Sequence, residues 1–476
     1  VVDKAAVDFA ATEAFLSAAE KIADAPYAWT RYDLLCLPPS FPYGGMENPN
    51  LTTLTPTLLA GDGSLAGVVA HEIAHSWTGN LVTNATWHHF WLNEGWTRWF
   101  ERKIRARVEC AADDDTIEQA SSSSSSSVRP FVDFDVAMAR SHLTEDVAVF
   151  EARGLTRLTA LVPPIDGIDP DDAFSAVPYE KGSSLLHAIE ARVGESAFLD
   201  CFRAYLKTFA RGGANDGGVV TTAAFRAFVE ARFPAELKGF DWDAWLFAPG
   251  DLPERHALDE SLVARVRSLA DALRAGGFET AVATADAFAT WPTDHKSFLL
   301  DLLLEARPPV GAETLASIDA LFAFSATTNS ELRFRWLKLL LAAGSAAGVA
   351  PALRMATTQG RMKFTRPLFR AVAASGVPGA LDRAREAFEA HRAFYHPICR
   401  KMVDADLDLA AQQQQLLLRG PRGLLMDGAR TVADWLAALL GRASTTSQND
   451  RLPRLAATAA GLGLLVLGVL KLRRAK

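Results

Sequence analysis

The sequence predicts a mainly α-helical protein with a small β part, built as two successive domains. Three observations predict it. An early strand-rich stretch, Tyr32 to Pro56, gives way to mostly helical sequence as far as about residue 250. Gly250-Asp251-Leu252-Pro253 then punctuates the chain, and beyond it the pattern becomes repetitively amphipathic. With 476 residues, 49% of them hydrophobic, the chain can bury large cores.

The elements follow in order. Val7 to Ile22 carries a helical pattern, and the strand-rich stretch follows it. Ser64 to Trp77 reads as a helix, with Ser64 as its N-cap and Gly79 as its C-terminal stop. Residues 79 to 90 suit a loop, and Glu94 to Val108 a second, antiparallel helix. Ser121 to Ser127 is an unbroken serine run with nothing to bury, read as a flexible insertion in a domain spanning residues 1–250. In residues 251–410, Leu262, Val266, Leu269 and Leu273 mark one helix, and Leu332, Trp336, Leu339 and Leu340 another; stacked helical pairs are expected. Residues 411–450, with the polar run Gln412 to Gln415, read as linker. The tail, 451–476, holds an uncharged apolar stretch from Leu455 to Leu470 flanked by Arg454, Lys471, Arg473, Arg474 and Lys476, a candidate membrane anchor.

The chemistry concentrates in His71-Glu72-Ile73-Ala74-His75. Positions four apart share a helix face at about 5–6 Å between Cβ atoms, so His71 and His75 can converge on one cation. Glu72 points elsewhere and can reach a water on that metal. Glu94, in Trp91-Leu92-Asn93-Glu94-Gly95, supplies a third ligand if the loop and the second helix form as read. Two imidazoles and a carboxylate leave zinc an open position, the pattern of a hydrolytic site. His88 and His89 fall in the loop and read as structural or solvent-facing; Glu101, on the Glu94 face, is a candidate to orient a ligand.

A net charge of −7 and a pI near 5.9 argue against nucleic acid as a partner. No Rossmann fingerprint or phosphate-binding loop is present. Cys36, Cys110, Cys201 and Cys399 lie far apart without a C-x-x-C pair, which suits buried thiols in a reducing, cytoplasmic setting. The chain opens on Val1 rather than Met, so an upstream portion is expected to be missing.

Taken together, PPSFPYGGMENP, HEIAHSWTGNLVTN, FWLNEG, VPYEKG and GRMKFTRPLF closely resemble zinc aminopeptidases of peptidase family M1, in the leukotriene A4 hydrolase branch. The resemblance implies a thermolysin-like catalytic domain followed by an armadillo- or HEAT-like helical domain. It implies one zinc ion on His71, His75 and Glu94, with Glu72 as general base and Tyr179 as donor to the oxyanion. Tyr43, Gly44, Gly45, Met46 and Glu47 would bind substrate, with Glu47 taking the free α-ammonium. Asp171 would line the pocket and favour a basic first side chain; Arg361 and Lys363 would bind the terminal carboxylate of short peptides. Hydrolysis of a lipid epoxide at the same zinc is also implied, and a weakly active, membrane-anchored binding protein is a third reading. Family members carry a β-rich domain before the catalytic one, which has no counterpart in this chain: it is either a fragment or a form lacking that domain.

Overall fold

The chain begins with two short helices, α1 (Val2–Asp8) and α2 (Thr12–Ala23), where the sequence predicts one from Val7 to Ile22. The break has a local cause. Thr12 Oγ1 donates to the Phe9 carbonyl at 2.6 Å, and the buried Asp8 carboxylate accepts from the backbone N–H groups of Gly61, Asp62 and Gly63. Both arrangements compete with a continuous helix. The computed structural model describes residues 2–112, 125–213, 217–278 and 288–424.

All three strands of the main sheet fall within Tyr32 to Pro56. β1 (Asp33–Cys36) runs parallel to β3 (Leu51–Leu54), and β2 (Gly45–Met46) lies antiparallel on the other edge of β3. A minor parallel pair joins β4 (Thr83–Asn84) to β5 (Val219–Val220).

The motif helix α3 (Gly67–His75) is shorter than its sequence reading. Ser64 does not cap it: Ala66 occupies the cap position, and the Ser64 hydroxyl accepts from Asn329 Nδ2 at 3.0 Å. Gly79 is not its stop either. A Cβ there would come within 2.8 Å of His75 Nδ1, so glycine is required by the close approach of the imidazole.

Helix α4 (Trp91–Ala112) starts earlier than Glu94, which puts that residue in the first turn. It is the axis of the first hydrophobic core. Trp96, Trp99 and Phe100 are fully buried against Phe198 and Phe202 of α7 (Glu195–Phe209), after α5 (Ser125–Ala152) and α6 (Gly182–Val193). Burying one such ring stabilises the fold by about 1.5–3 kcal/mol. Two short helices, α8 (Thr222–Arg232) and α9 (Trp242–Leu246), complete this core.

A second core belongs to α10 (Ser261–Arg274), α11 (Thr293–Leu304), α12 (Ala312–Phe322) and α13 (Ser330–Ala342), where Val266, Leu269, Leu273, Leu332, Trp336 and Leu339 are buried as their spacing predicts. Each helix from α13 through α14 (Ala346–Thr358) and α15 (Met362–Ala374) to α16 (Ala380–Ala390) packs on the one before it, the stacked arrangement expected of amphipathic repeats.

Residues 1–410 make one unit and 411–476 another. The last helix, α17 (Pro397–Leu424), carries helical structure through the first residues read as linker, including Gln412 to Gln415. Four glutamines lose little side-chain freedom in a helix, so polarity alone does not end one. Likewise Ser125 to Ser127 form the start of α5, whereas Ser121 to Ser124 lie outside the described residues. The apolar tail also lies outside them. Among the described residues no helix is long and apolar enough to cross a membrane.

Candidate metal centre

His71 and His75 meet on one face of α3 with ring centroids 4.7 Å apart. Each inner nitrogen is already engaged. His71 Nδ1 bonds Glu101 Oε2 at 3.0 Å, and His75 Nδ1 lies 3.1 Å from both Thr78 O and Thr97 Oγ1. In the neutral rings, with each Nδ1 as the donor, both Nε2 atoms are bare acceptors. They nevertheless face each other at 3.2 Å, and Glu94 Oε2 lies 3.5 Å from one and 3.3 Å from the other.

Three acceptors converging in a buried place repel unless a cation lies among them. Zinc bonds of about 2.0–2.2 Å in tetrahedral array would hold ligand atoms about 3.3–3.6 Å apart, which matches these separations. Glu94 Oε2 is buried and receives no hydrogen bond. The donor set therefore fits zinc, and it leaves a fourth position for water or substrate.

The surroundings are strongly anionic. Burial would lower the His75 pKa, but the carboxylates of Glu47 and Glu94 push it up to about 9. Burial would raise Glu94, yet the two imidazoles pull it down to about 2, so it remains ionised. Glu72 responds most to burial, which lifts it to about 7 against the pull of His71 and His75. Its carboxylate presses on the glycine strand: a Cβ on Gly45 would overlap it. Glu47, Glu72 and His75 place ligand-type atoms within 4.8 Å of one another, so a second carboxylate borders the general-base candidate. Asn80 Nδ2 holds the Glu47 carbonyl at 2.7 Å, and the Glu47 side chain has no Lys or Arg partner among the described residues.

Tyr179 sits in a π-helical turn, Val177–Lys181, that leads into α6. Its ring stacks on His71 at 6.1 Å and meets Phe90 and Phe174 edge-on. Burial and the charges of Glu94, Glu47 and Glu72 raise its pKa well above the ordinary value, so the phenol stays protonated and can donate.

Comparison with known proteins agrees with this geometry. Residues 7–224 match the peptidase family M1 domain, and residues 291–407 match the leukotriene A4 hydrolase C-terminal domain. The chain belongs to peptidase family M1, in its leukotriene A4 hydrolase branch. Leukotriene A-4 hydrolase of Xenopus laevis is 38% identical over 422 residues, covering 86% of this chain and 63% of that protein. Leucine aminopeptidase 2 of Yarrowia lipolytica is 37% identical over 407 residues, covering 83% and 59%. The solved structure of yeast LTA4 hydrolase with bestatin superposes with a TM-score of 0.71 at 32% identity, covering 83% and 62%. The chain spans about three fifths of the length of the curated relatives it matches.

In this M1 chain the glycine strand also receives the helical region. Gly44 lies beneath Arg361, whose Nη2 would be 2.8 Å from a Cβ at that position. Arg361 is buried before the first turn of α15; Lys363, two residues on, is half exposed. Tyr43 packs between Phe41 and Phe174, while Met46 is exposed on β2. Asp171 is exposed and close enough to add to the rise in the Tyr43 pKa that burial causes. His88 pairs with Asp166 and His89 with Thr222, and neither histidine belongs to the converging ligand groups among the described residues.

Residues that sequence reasoning passed over also shape the site. Thr78 and Thr97 orient His75, and Arg98 and Arg105 neutralise Glu101. Glu331 holds both Arg361 and Lys363. For Thr97 the signal was available, one turn after Glu94 on the same helix. The i,i+4 pairing of Glu331 with Arg335 could be read from the sequence, but nothing local marks its contact with Arg361 and Lys363, which lie outside its helix.

Proposed function

We propose that this M1 chain is a zinc-dependent aminopeptidase that releases N-terminal residues from short peptides. The observation that carries the reading is the row of three carboxylates, Glu94, Glu72 and Glu47, running from the metal ligands to the glycine strand. Each suits a different task. Glu94 joins His71 and His75 in holding zinc, which when bound supplies Lewis acidity toward a carbonyl and acidifies water.

Glu72 takes a proton from the attacking water and returns it to the leaving amine. A buried carboxylate raised to about 7 is matched to that exchange near neutral pH. Tyr179 donates its hydroxyl hydrogen to the oxygen that becomes negative as the carbonyl is attacked. Glu47 has no Lys or Arg partner among the described residues and offers its carboxylate to the α-ammonium, which limits attack to the first peptide bond. Arg361 and Lys363 then receive the far carboxylate, a separation that favours tripeptide-sized substrates. Asp171 favours a basic first residue.

Free thiols at Cys36, Cys201 and Cys399 suit a reducing, cytoplasmic setting. The basic-flanked tail, 451–476, is the candidate for attachment to an intracellular membrane, and this rests on sequence alone.

The test is hydrolysis of arginyl and alanyl fluorogenic amides by the full chain, with zinc content measured in parallel. Glu72→Gln is expected to reduce kcat by at least about 10²–10⁴-fold while keeping bound zinc. Turnover that survives both chelation and Glu72→Gln would overturn the reading.

A further inference from the structure

We propose that Glu331 is an internal counter-ion that sets how tightly Arg361 and Lys363 take a ligand carboxylate, trading ligand affinity against stability of the fold. The proposal rests on the reading of that cation pair as the carboxylate site.

Glu331 occupies the place where a ligand carboxylate would bind. Its Oε1 accepts from Lys363 Nζ at 2.6 Å and lies 3.7 Å from Arg361 Nη1. Its Oε2 accepts from Arg335 Nη1 at 2.7 Å. Arg335 does not depend on it, because Asp301 also holds Arg335 Nε at 2.8 and 2.9 Å. Arg361 has no second ion-pair partner among the described residues. It is 6% exposed, its Nε has no hydrogen-bond partner, and its other polar neighbour is Thr57 Oγ1 at 3.4 Å.

The local charge is therefore unbalanced by design of the packing. Arg335 has Asp301 as well as Glu331, whereas Arg361 and Lys363 share Glu331 as their one carboxylate in direct contact among the described residues, with Glu72 a more distant anion toward Arg361. Phe364 lies under both Arg361 and Lys363, at 5.0 and 5.9 Å, and keeps their heads in place independently of Glu331. Without Glu331 the pair would lack its protein carboxylate. An uncompensated buried cation destabilises the fold, and a ligand carboxylate would then replace the missing partner. An amidated ligand brings no charge and would gain nothing.

The experiment measures KM for trialanine and for trialanine amide with wild-type full chain and Glu331→Gln, and the melting temperature of each with and without the two peptides. The expected result is a KM for trialanine lowered about tenfold, with the amide changed less than about twofold. The unliganded variant should melt below wild type and be raised more by trialanine than wild type is. An acid-to-amide KM ratio that is unchanged, or that shifts toward the amide, overturns the proposal. Glu331→Asp, which keeps the charge but withdraws it from Lys363, should move the ratio the same way by a smaller factor and serves if Glu331→Gln does not fold. If wild type turns over neither peptide, the aminopeptidase reading fails by itself. The melting shifts then still decide whether Glu331 competes with a carboxylate.

Discussion

At His71 the atom that matters for metal binding is the outer nitrogen, and what aims it is a bond on the inner one. Glu101 Oε2 accepts from Nδ1, and Arg98 and Arg105 keep Glu101 ionised: burial would raise its pKa, but these cations and His71 hold it far below the carboxylate range. A carboxylate behind a ligating histidine makes the ring a better donor and fixes its tautomer. Glu101→Gln is therefore expected to weaken zinc binding by about 10–100-fold, measured by titration against a competing chelator. Unchanged affinity would remove Glu101 from the site. The ligands themselves were legible from spacing because a helix fixes which residues share a face. Glu101 was partly legible for the same reason, and the role of Glu331 was not, since Arg361 and Lys363 come from distant positions.

Among the elements, the crossing of α4 and α6 governs how Tyr179 meets the metal ligands. Gly95 follows Glu94, and Gly182 stands three residues after Tyr179. A Cβ on Gly95 would lie 2.8 Å from the Gly182 backbone, so both glycines are needed for the helices to touch. Backbone cannot give way as a flexible side chain does. Gly95→Ala is expected to cost about 1–3 kcal/mol of stability by overpacking and to lower kcat by moving the π turn that carries Tyr179. A denaturant midpoint and a steady-state assay would check the two effects, and a variant with wild-type values in both would refute the role given to this crossing. Both glycines stand within motifs visible in the sequence, but a motif does not say that its glycine touches another. The same limit explains Ser64 and Gly79, read as helix boundaries and found to be an acceptor for Asn329 and a cradle for His75.

Over the whole molecule, ion-paired carboxylates tie the helical region to itself and to the catalytic core. Arg105 on α4 pairs with Asp294 on α11, and Arg335 with Asp301. Burial would raise Asp301, but Arg335 and His142 pull it down to about 2; Glu190 is likewise pulled down to about 2 by His187 and Lys103. Unfolded, such groups titrate near about 4. Their stabilisation is thus fully present above that pH and is lost as pH falls from about 4 through about 2, because the unfolded chain then binds more protons. The melting temperature should fall steeply across that window. Asp301→Asn should lower stability at neutral pH and make the acid-side slope shallower; an unchanged slope would show that Asp301 contributes nothing to it.

The sequence by itself determined the helical class, the order of the elements and the candidate ligand set His71, His75 and Glu94 with Glu72 beside it. Those depend on periodicity and on spacings within one or two helices, which short-range geometry dictates. Only the tertiary structure decided what surrounds them: which atoms orient His71 and His75, why Gly44, Gly45, Gly79, Gly95 and Gly182 must lack side chains, and which carboxylate balances Arg361 and Lys363. Those are contacts between residues far apart along the chain, and they exist only once the helices and the small sheet have packed.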